Sequence, residues 1–357
     1  AVCGLGGIGK TSLVSEYAHQ MKDFYKGGVY WFSAEDDTFL DKTVNDIALK
    51  IDALLGSFDL TLSNILKKIS SLSDPSLVVL DCVDELELSS NVMKFLSFPS
   101  KENIFGHFVI LTRRKPSLLL NDVSVIEEDS CLRLECFQLQ EAREFLLSRS
   151  KVDCDENVKS VAESLCEELG RLPLALEQAG ACIHMLQCGL FSYLEQYKTE
   201  RLRLLSQQPA CPVSPGNESP ERLAVHTTWL INMDYIKKKA NGPAAVRFMN
   251  VCSFLNANEI EQELINVGRP EVEDDKYHKC VSSPLGRCQI LKILTDFSLF
   301  TFVNNAHSIS AHRLVLELVQ ERLDEKSKAE AFFDAVRLLC FAFSKCSSPS
   351  NHVGLDE

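Results

Sequence analysis

The residues most suited to chemistry lie near the start of the chain, in the run Gly4-Leu5-Gly6-Gly7-Ile8-Gly9-Lys10-Thr11. Their G-x-x-x-x-G-K-[ST] spacing is that of a cradle for a phosphate chain. Glycines let the backbone turn its N–H groups inward around anionic oxygens without side-chain clash. In such a cradle Gly4, Gly6, Gly7, Ile8 and Gly9 wrap the β-phosphate, and the Lys10 ammonium faces the β and γ oxygens. The Thr11 hydroxyl ligates Mg²⁺, and the helix that opens at Lys10-Thr11-Ser12 adds the positive end of its dipole. The expected ligand is a nucleoside di- or triphosphate with Mg²⁺.

The other half of such a site is an acid at the end of a buried strand. Leu77-Val78-Val79-Leu80-Asp81 offers four apolar residues and then a carboxylate able to hold Mg²⁺ directly or through water. An apolar run ending in Asp is commonplace on its own; downstream of a cradle it becomes the expected metal partner of Thr11. Hydrolysis further needs a carboxylate to orient or deprotonate water. Cys82 beside Asp81 is a poor substitute, and Asp84 and Glu85 are either candidate bases or solvated loop acids. The catalytic set, were there turnover, would be Lys10, Asp81 and Asp84, and the turnover would be slow.

These groups need a frame. Short apolar, β-branched runs at Gly28–Phe32, Leu77–Leu80, His107–Thr112 and Cys131–Leu134 alternate with amphipathic stretches at Thr38–Leu55 and Leu60–Leu72, the pattern of a parallel α/β sheet. Ala1-Val2-Cys3 would be the first strand. From Gln138 helical periodicity takes over, in Glu141–Leu147, Val158–Leu169, Leu174–Leu186 and Leu190–Leu205. A run with four prolines, Gln207 to Pro220, forbids regular structure and reads as a linker. Helices over Leu223–Lys239 and Ala244–Leu255 then precede apolar runs at Ile290–Leu294, Leu299–Val303 and Ser308–Ser310 and a helix from His312 to Leu323. Helices, a short hairpin and a further helix suggest a winged helix. The expected organisation is a nucleotide-binding α/β domain over 1–137, a helical domain with its linker over 138–220, a winged-helix domain over 221–325 and a helical tail over 326–357.

The net charge of -13 argues against a surface that grips nucleic acid through clustered Lys and Arg, and no apolar run approaches the roughly 18 residues needed to span a bilayer. The 14 cysteines are scattered through apolar segments, with no Cys-x-x-Cys pair, which suits buried thiols in a reducing, cytoplasmic setting. His278, Cys280 and Cys288 lack a second close ligand pair, so structural zinc is disfavoured. With no initiator Met and a motif at its very start, the chain reads as part of a longer protein.

With cradle, strand acid and helical domains in view, the chain resembles the signal-transducing P-loop NTPases of the NB-ARC (STAND) type, shared by apoptosis activators and plant disease-resistance proteins. Leu80-Asp81-Cys82-Val83-Asp84-Glu85 is similar to the family's L-D-[DN]-V-x-[DE], with Cys82 replacing an acid or amide. Val109-Ile110-Leu111-Thr112-Arg113-Arg114 is similar to V-I-L-T-T-R, which makes Arg114 the implied γ-phosphate sensor and puts Arg113 where a Thr belongs. Gly170-Arg171-Leu172-Pro173-Leu174-Ala175-Leu176 resembles G-L-P-L-A-L, whose proline packs on adenine; read alone, Pro173 is a favoured first-turn proline. Ala311-His312-Arg313 stands in the place of Met-His-Asp, whose His contacts the ADP β-phosphate; read alone, His312 is a helix-capping residue.

The resemblance implies ADP and ATP as ligands, innate-immune or apoptotic signalling, self-association through the nucleotide-binding domain, and partners bound by flanking domains, with tetratricopeptide repeats beyond Glu357. A regulatory switch is thus the first expectation. An ATP-driven motor or small-molecule kinase would need an acceptor site and a better base. A nucleotide-regulated DNA-binding protein would need a basic recognition helix, whereas His312–Leu323 mixes Arg313 and Arg322 with Glu317 and Glu321.

Overall fold

The computed structural model describes residues 1–85, 87–97, 106–122, 128–153, 155–207, 220–257, 260, 261, 264, 276–303 and 308–346. The chain divides into two compact units, Ala1–Glu135 and Cys136–Glu357.

The first unit is an α/β sheet. Its strands are β1 (Val2–Cys3), β2 (Gly28–Ser33), β3 (Ser76–Asp81), β4 (Gly106–Thr112) and β5 (Leu132–Arg133). They run parallel in the order β2-β3-β4-β1-β5. β3 is buried at all of its positions, as expected of a central strand covered on both faces. Val78 and Leu80 face one core with Phe32, Leu40, Ile65 and Phe95. Leu77 and Val79 face the other with Val14, Ala18, Tyr25 and Leu111. The two-residue period of a strand thus feeds two cores from one continuous apolar run.

The covering helices are α1 (Lys10–Gln20), α2 (Asp37–Lys50), α3 (Phe58–Ser70), α4 (Ser90–Leu96) and α5 (Pro116–Asp122). Helix α2 begins where the Asp36 carboxylate accepts the Phe39 N–H at 2.9 Å, a side-chain cap on an otherwise orphaned donor. Because all strands are parallel, their carboxyl ends share one edge. The cradle leaves β1 there, Asp81 ends β3, and Arg113 and Arg114 follow β4, the strand between them.

The second unit opens with helices α6 (Leu139–Ser150), α7 (Glu156–Glu168), α8 (Pro173–Leu186) and α9 (Leu190–Gln207). It continues with α10 (Pro220–Ile236), α11 (Gly242–Cys252), α12 (Lys276–Ser282), α13 (Pro284–Asp296), α14 (Arg313–Arg322) and α15 (Glu325–Cys346). Strands β6 (Ile260–Glu261), β7 (Phe300–Val303) and β8 (Ser308–Ala311) form an antiparallel sheet in the order β6-β8-β7. The apolar run Ile290–Leu294 belongs to α13 and not to this sheet. Most of the proline-rich run, 208–219, lies outside the described residues. Among the described residues no helix is long and apolar enough to cross a membrane.

Polar ties join the helices of this unit. Thr228 donates to Gln178 at 2.7 Å, joining α10 to α8. Arg149 on α6 pairs with Glu177 on α8 at 2.5 Å, and Ser298 after α13 donates to the same carboxylate oxygen at 2.7 Å. His226, 2% exposed, accepts the Arg322 Nε–H at 2.8 Å. Burial first, and then Arg322, push its pKa from 6.5 down to about 4. A histidine held neutral in the fold but free to protonate when unfolded supports stability fully above 6.5, and that support is lost as pH falls through about 4. The loss should approach roughly 3 kcal/mol. Urea unfolding followed at pH 7.5 and pH 4.5 should show a smaller pH penalty in His226→Gln than in the wild type; equal penalties would contradict this.

Candidate nucleotide-phosphate site

The cradle has the backbone its glycines were expected to permit. Gly7 and Gly9 take φ of 76° and 100°, in the left-handed region that side chains avoid, and a Cβ on Gly9 would still meet open space. Position 9 is therefore demanded by backbone angle and not by crowding. Ile8, 4% exposed, is buried beneath the loop, while Thr11 and Ser12 are exposed in the first turn of α1. The positive end of α1 thus begins at the loop's close, with Val14 and Ala18 anchoring the helix to the sheet.

Lys10 arches back over its own loop. Its Nζ donates to the carbonyls of Gly4 and Leu5, each at 2.9 Å. Burial lowers its pKa, Arg113 adds to the lowering, and the carboxylates of Asp84 and Asp81 oppose it. Asp81, 6% exposed, accepts the Thr11 hydroxyl at 3.1 Å and the Cys82 N–H at 2.8 Å. Its pKa is raised by burial, and the hydrogen bonds from Thr11 and Cys82 hold it down in part. A hydroxyl and a carboxylate in contact beside an ammonium are hard oxygen donors of the kind that a Mg²⁺ ion takes.

Behind Asp81 the chain turns sharply. Cys82 has φ of 64°, the Asp84 N–H donates to the Cys82 carbonyl at 2.9 Å, and the Val83 N–H rejoins β4 at the Leu111 carbonyl at 3.0 Å. The left-handed region is unfavourable for a cysteine and tolerated by Asn and Asp, the residue types the resemblance expects there. Cys82→Asn should therefore stabilise the first unit by about 0.5–1 kcal/mol. Thermal melting would read it, and a lower melting temperature would argue against strain at this turn.

The turn delivers Asp84 to Arg113. Asp84 Oδ1 accepts the Arg113 N–H at 2.6 Å, and Oδ2 pairs with the Arg113 Nε at 2.9 Å. Both oxygens of the candidate base thus carry bonds from one arginine. The guanidinium of Arg113 also flanks the cradle: a Cβ on Gly6 would lie 3.8 Å from its Cδ, Nε and Cζ. Arg114 is 7% exposed; its N–H donates to the Thr112 hydroxyl at 3.0 Å and its Nη2 to the Leu118 carbonyl at 3.4 Å. Thr112 in turn donates to the Val83 carbonyl. The structure brings Gly4 to Ser12, Asp81 and Asp84 together at one edge of the sheet. Arg113, read from the sequence only as a replacement for threonine, joins this group through Asp84 and the cradle.

Pro173 and His312 belong to the second unit. Pro173 is the first residue of α8, with Leu172 as N-cap, and it follows Gly170 and Arg171 at φ of 63° and 54°. His312 is the N-cap of α14, and its Nδ1 accepts the Leu314 N–H at 3.2 Å. That bond fixes the tautomer with the proton on Nε2.

A model of a domain of unknown function, DUF7779, matches residues 237–328. The chain is 23% identical over 355 residues to a nucleotide-binding leucine-rich repeat (NLR)-like protein of Hyaloscypha variabilis, covering 93% of this chain and 33% of that one. It thus spans about a third of that relative's length. Among solved structures, the Walker-type ATPase of Pyrococcus abyssi is similar at a TM-score of 0.40 and 12% identity, over 89% of this chain and 90% of that one. The Aeropyrum pernix ORC1 protein, solved in complex with DNA, is similar at a TM-score of 0.39 and 14% identity, over 90% of this chain and 86% of that one. The first unit has the parallel sheet and cradle of a P-loop NTPase, and the chain has an NLR-like relative.

Proposed function

We propose that the chain is the ADP- and ATP-binding switch of a longer signalling protein. The observation that carries the reading is the contact between Thr11 and Asp81, 70 positions apart and joined at 3.1 Å beside Lys10. Cradle, metal-binding hydroxyl and strand acid form one constellation, as a nucleotide with Mg²⁺ requires. Mg²⁺, when bound, offsets phosphate charge; Thr11 and Asp81 would hold it.

The chain's own residues serve holding better than turnover. Asp84 is engaged at both oxygens by Arg113, and the residue beside Asp81 is a thiol. A thiol in that place is a poor base for deprotonating water, so hydrolysis is slow at most. A steady-state rate in the ordinary enzyme range, about 1 to 1,000 per second, would overturn this.

The switch works by differential affinity. A nucleotide moves the chain from a closed to an open state only in so far as it binds one of them better, and a nearly complete shift takes about 5.5 kcal/mol. By the resemblance to the NB-ARC type, His312 would contribute a contact to an ADP phosphate and Pro173 a contact to adenine. Opening would expose the nucleotide-binding unit for self-association, with flanking segments supplying protein partners. Nucleic acid has no part in this reading. The two arginines of α14 are engaged inside the unit, Arg313 with Glu317 at 3.0 Å and Arg322 with His226 at 2.8 Å.

Light scattering on the full-length protein tests the switch. A larger mass with a non-hydrolysable ATP analogue than with ADP is the expected result, and identical masses would contradict it.

A further inference from the structure

We propose that Arg113, and not the Arg114 selected by motif resemblance, is the arginine through which this site tells a nucleoside triphosphate from a diphosphate, by leaving Asp84 for the terminal phosphate. The proposal rests on the nucleotide-binding reading above and names the residue that gives it selectivity.

Strand register puts Arg113 in place. Cys3 pairs with Thr112 across β1 and β4, and the Gly4 N–H donates to the Thr112 carbonyl at 3.1 Å. The cradle and the segment after β4 therefore leave the sheet side by side. From there the Arg113 side chain runs along the loop, with Cδ, Nε and Cζ all 3.8 Å from where a Cβ on Gly6 would stand. Its side chain is 31% exposed.

Arg114 is placed differently. It is 7% exposed, its N–H is fastened to the Thr112 hydroxyl, and its Nη2 is directed to the Leu118 carbonyl in α5. Arg113, the more exposed of the two, would only exchange one anionic partner for another.

Asp84 is suited to be the partner that is given up. Its Oδ2 meets Nε at 2.9 Å, and with the Asp84 side chain 17% and the Arg113 side chain 31% exposed the pair is not sealed from water. A phosphate is a doubly charged acceptor that matches the planar guanidinium fork and forms shorter, charge-assisted bonds. Asp84 Oδ1 keeps its separate bond to the Arg113 N–H at 2.6 Å, so the backbone can stay fixed while the guanidinium moves. The carboxylate thus parks the arginine beside the cradle. Arg113 stands where the motif has threonine, so the device belongs to this chain's own sequence.

The test is calorimetric titration of the full chain with Mg²⁺-ADP and with the Mg²⁺ salt of β,γ-imido-ATP. Arg113→Gln should weaken the triphosphate analogue about tenfold or more, about 1.4 kcal/mol, and leave ADP within about twofold. Arg113→Lys, which keeps the charge and loses the fork, should fall between, and serves if the Gln variant folds poorly. Asp84→Asn, which retains an acceptor for the Arg113 N–H but frees the guanidinium, should tighten the analogue. Arg114→Gln should change the two nucleotides alike. Equal loss of both nucleotides in Arg113→Gln, no loss of either, or triphosphate-selective loss in Arg114→Gln would overturn the proposal. A wild-type chain that binds neither nucleotide would instead overturn the nucleotide reading on which it rests.

Discussion

Lys10→Ala is expected to weaken ADP and ATP-analogue binding alike, by at least about a hundredfold, near 3 kcal/mol, with little change in melting temperature. The two halves of the expectation share a cause. The ammonium sits part-buried, and its lowered pKa shows that burial disfavours its charged form despite Asp84 and Asp81 nearby. Its bonds are to the carbonyls of Gly4 and Leu5 in a loop that retains its backbone shape through Gly7 and Gly9. Removing it therefore costs the fold little and costs a bound phosphate its main cation. Titration calorimetry with both nucleotides, beside a thermal melt, reads both halves. Only a few-fold loss would mean that the backbone N–H groups and the helix dipole suffice.

Gly242→Ala should be the most damaging of small substitutions in the second unit. A Cβ at this position would fall 1.9 Å from the Ile236 carbonyl oxygen and 2.9 Å from its carbon, and neither is a side chain that can swing away. The turn between α10 and α11 is also a junction. Asn241, at φ of 62°, donates to Gln289 at 2.6 Å and accepts from Cys280 at 3.2 Å, tying the turn to α13 and α12. Displacing it should cost more than about 3 kcal/mol. The two tryptophans make the measurement clean, because Trp31 lies in the first unit and Trp229 in the second. With each indole replaced in turn, the urea midpoint reported by Trp229 should drop sharply and that reported by Trp31 should stay. An unchanged Trp229 midpoint would show that the turn opens without loss.

The cradle was legible in the sequence because its chemistry is local. Eight consecutive residues specify backbone angles, a cation and a hydroxyl, and no tertiary contact is needed to read them. Asp81 was legible for a related reason, since a continuous apolar run announces a strand buried on both faces and the acid marks its end. What surrounds Asp81 was not. That Cys82 turns left-handed, that Asp84 meets an arginine, and that the arginine is Arg113 all follow from β4 lying between β1 and β3. Strand order is a property of the assembled sheet, and no spacing along the chain encodes it. The motif resemblance points to Arg114, whose Nη2 reaches the Leu118 carbonyl in α5 at 3.4 Å.

Length explains other differences. The seven-residue helices α4 and α5 are too short to display a helical period, and β5 keeps only two residues of the apolar run around it. In the second unit the run Ile290–Leu294 is as apolar as a strand, but it lies within the thirteen residues of α13, which begin at a proline capped by Ser283. Pro173 and His312 hold the local roles their neighbours dictate, a first-turn proline and an N-cap.

Whether the first unit holds a nucleotide is read from the identity and amount of nucleotide carried by the protein purified without added ligand. Acid extraction followed by ion-exchange chromatography should recover ADP at about one molecule per chain, lost in Lys10→Ala. A preparation that carries no nucleotide, and that takes up neither ADP nor an ATP analogue when they are supplied with Mg²⁺, would show that the cradle is not a nucleotide site.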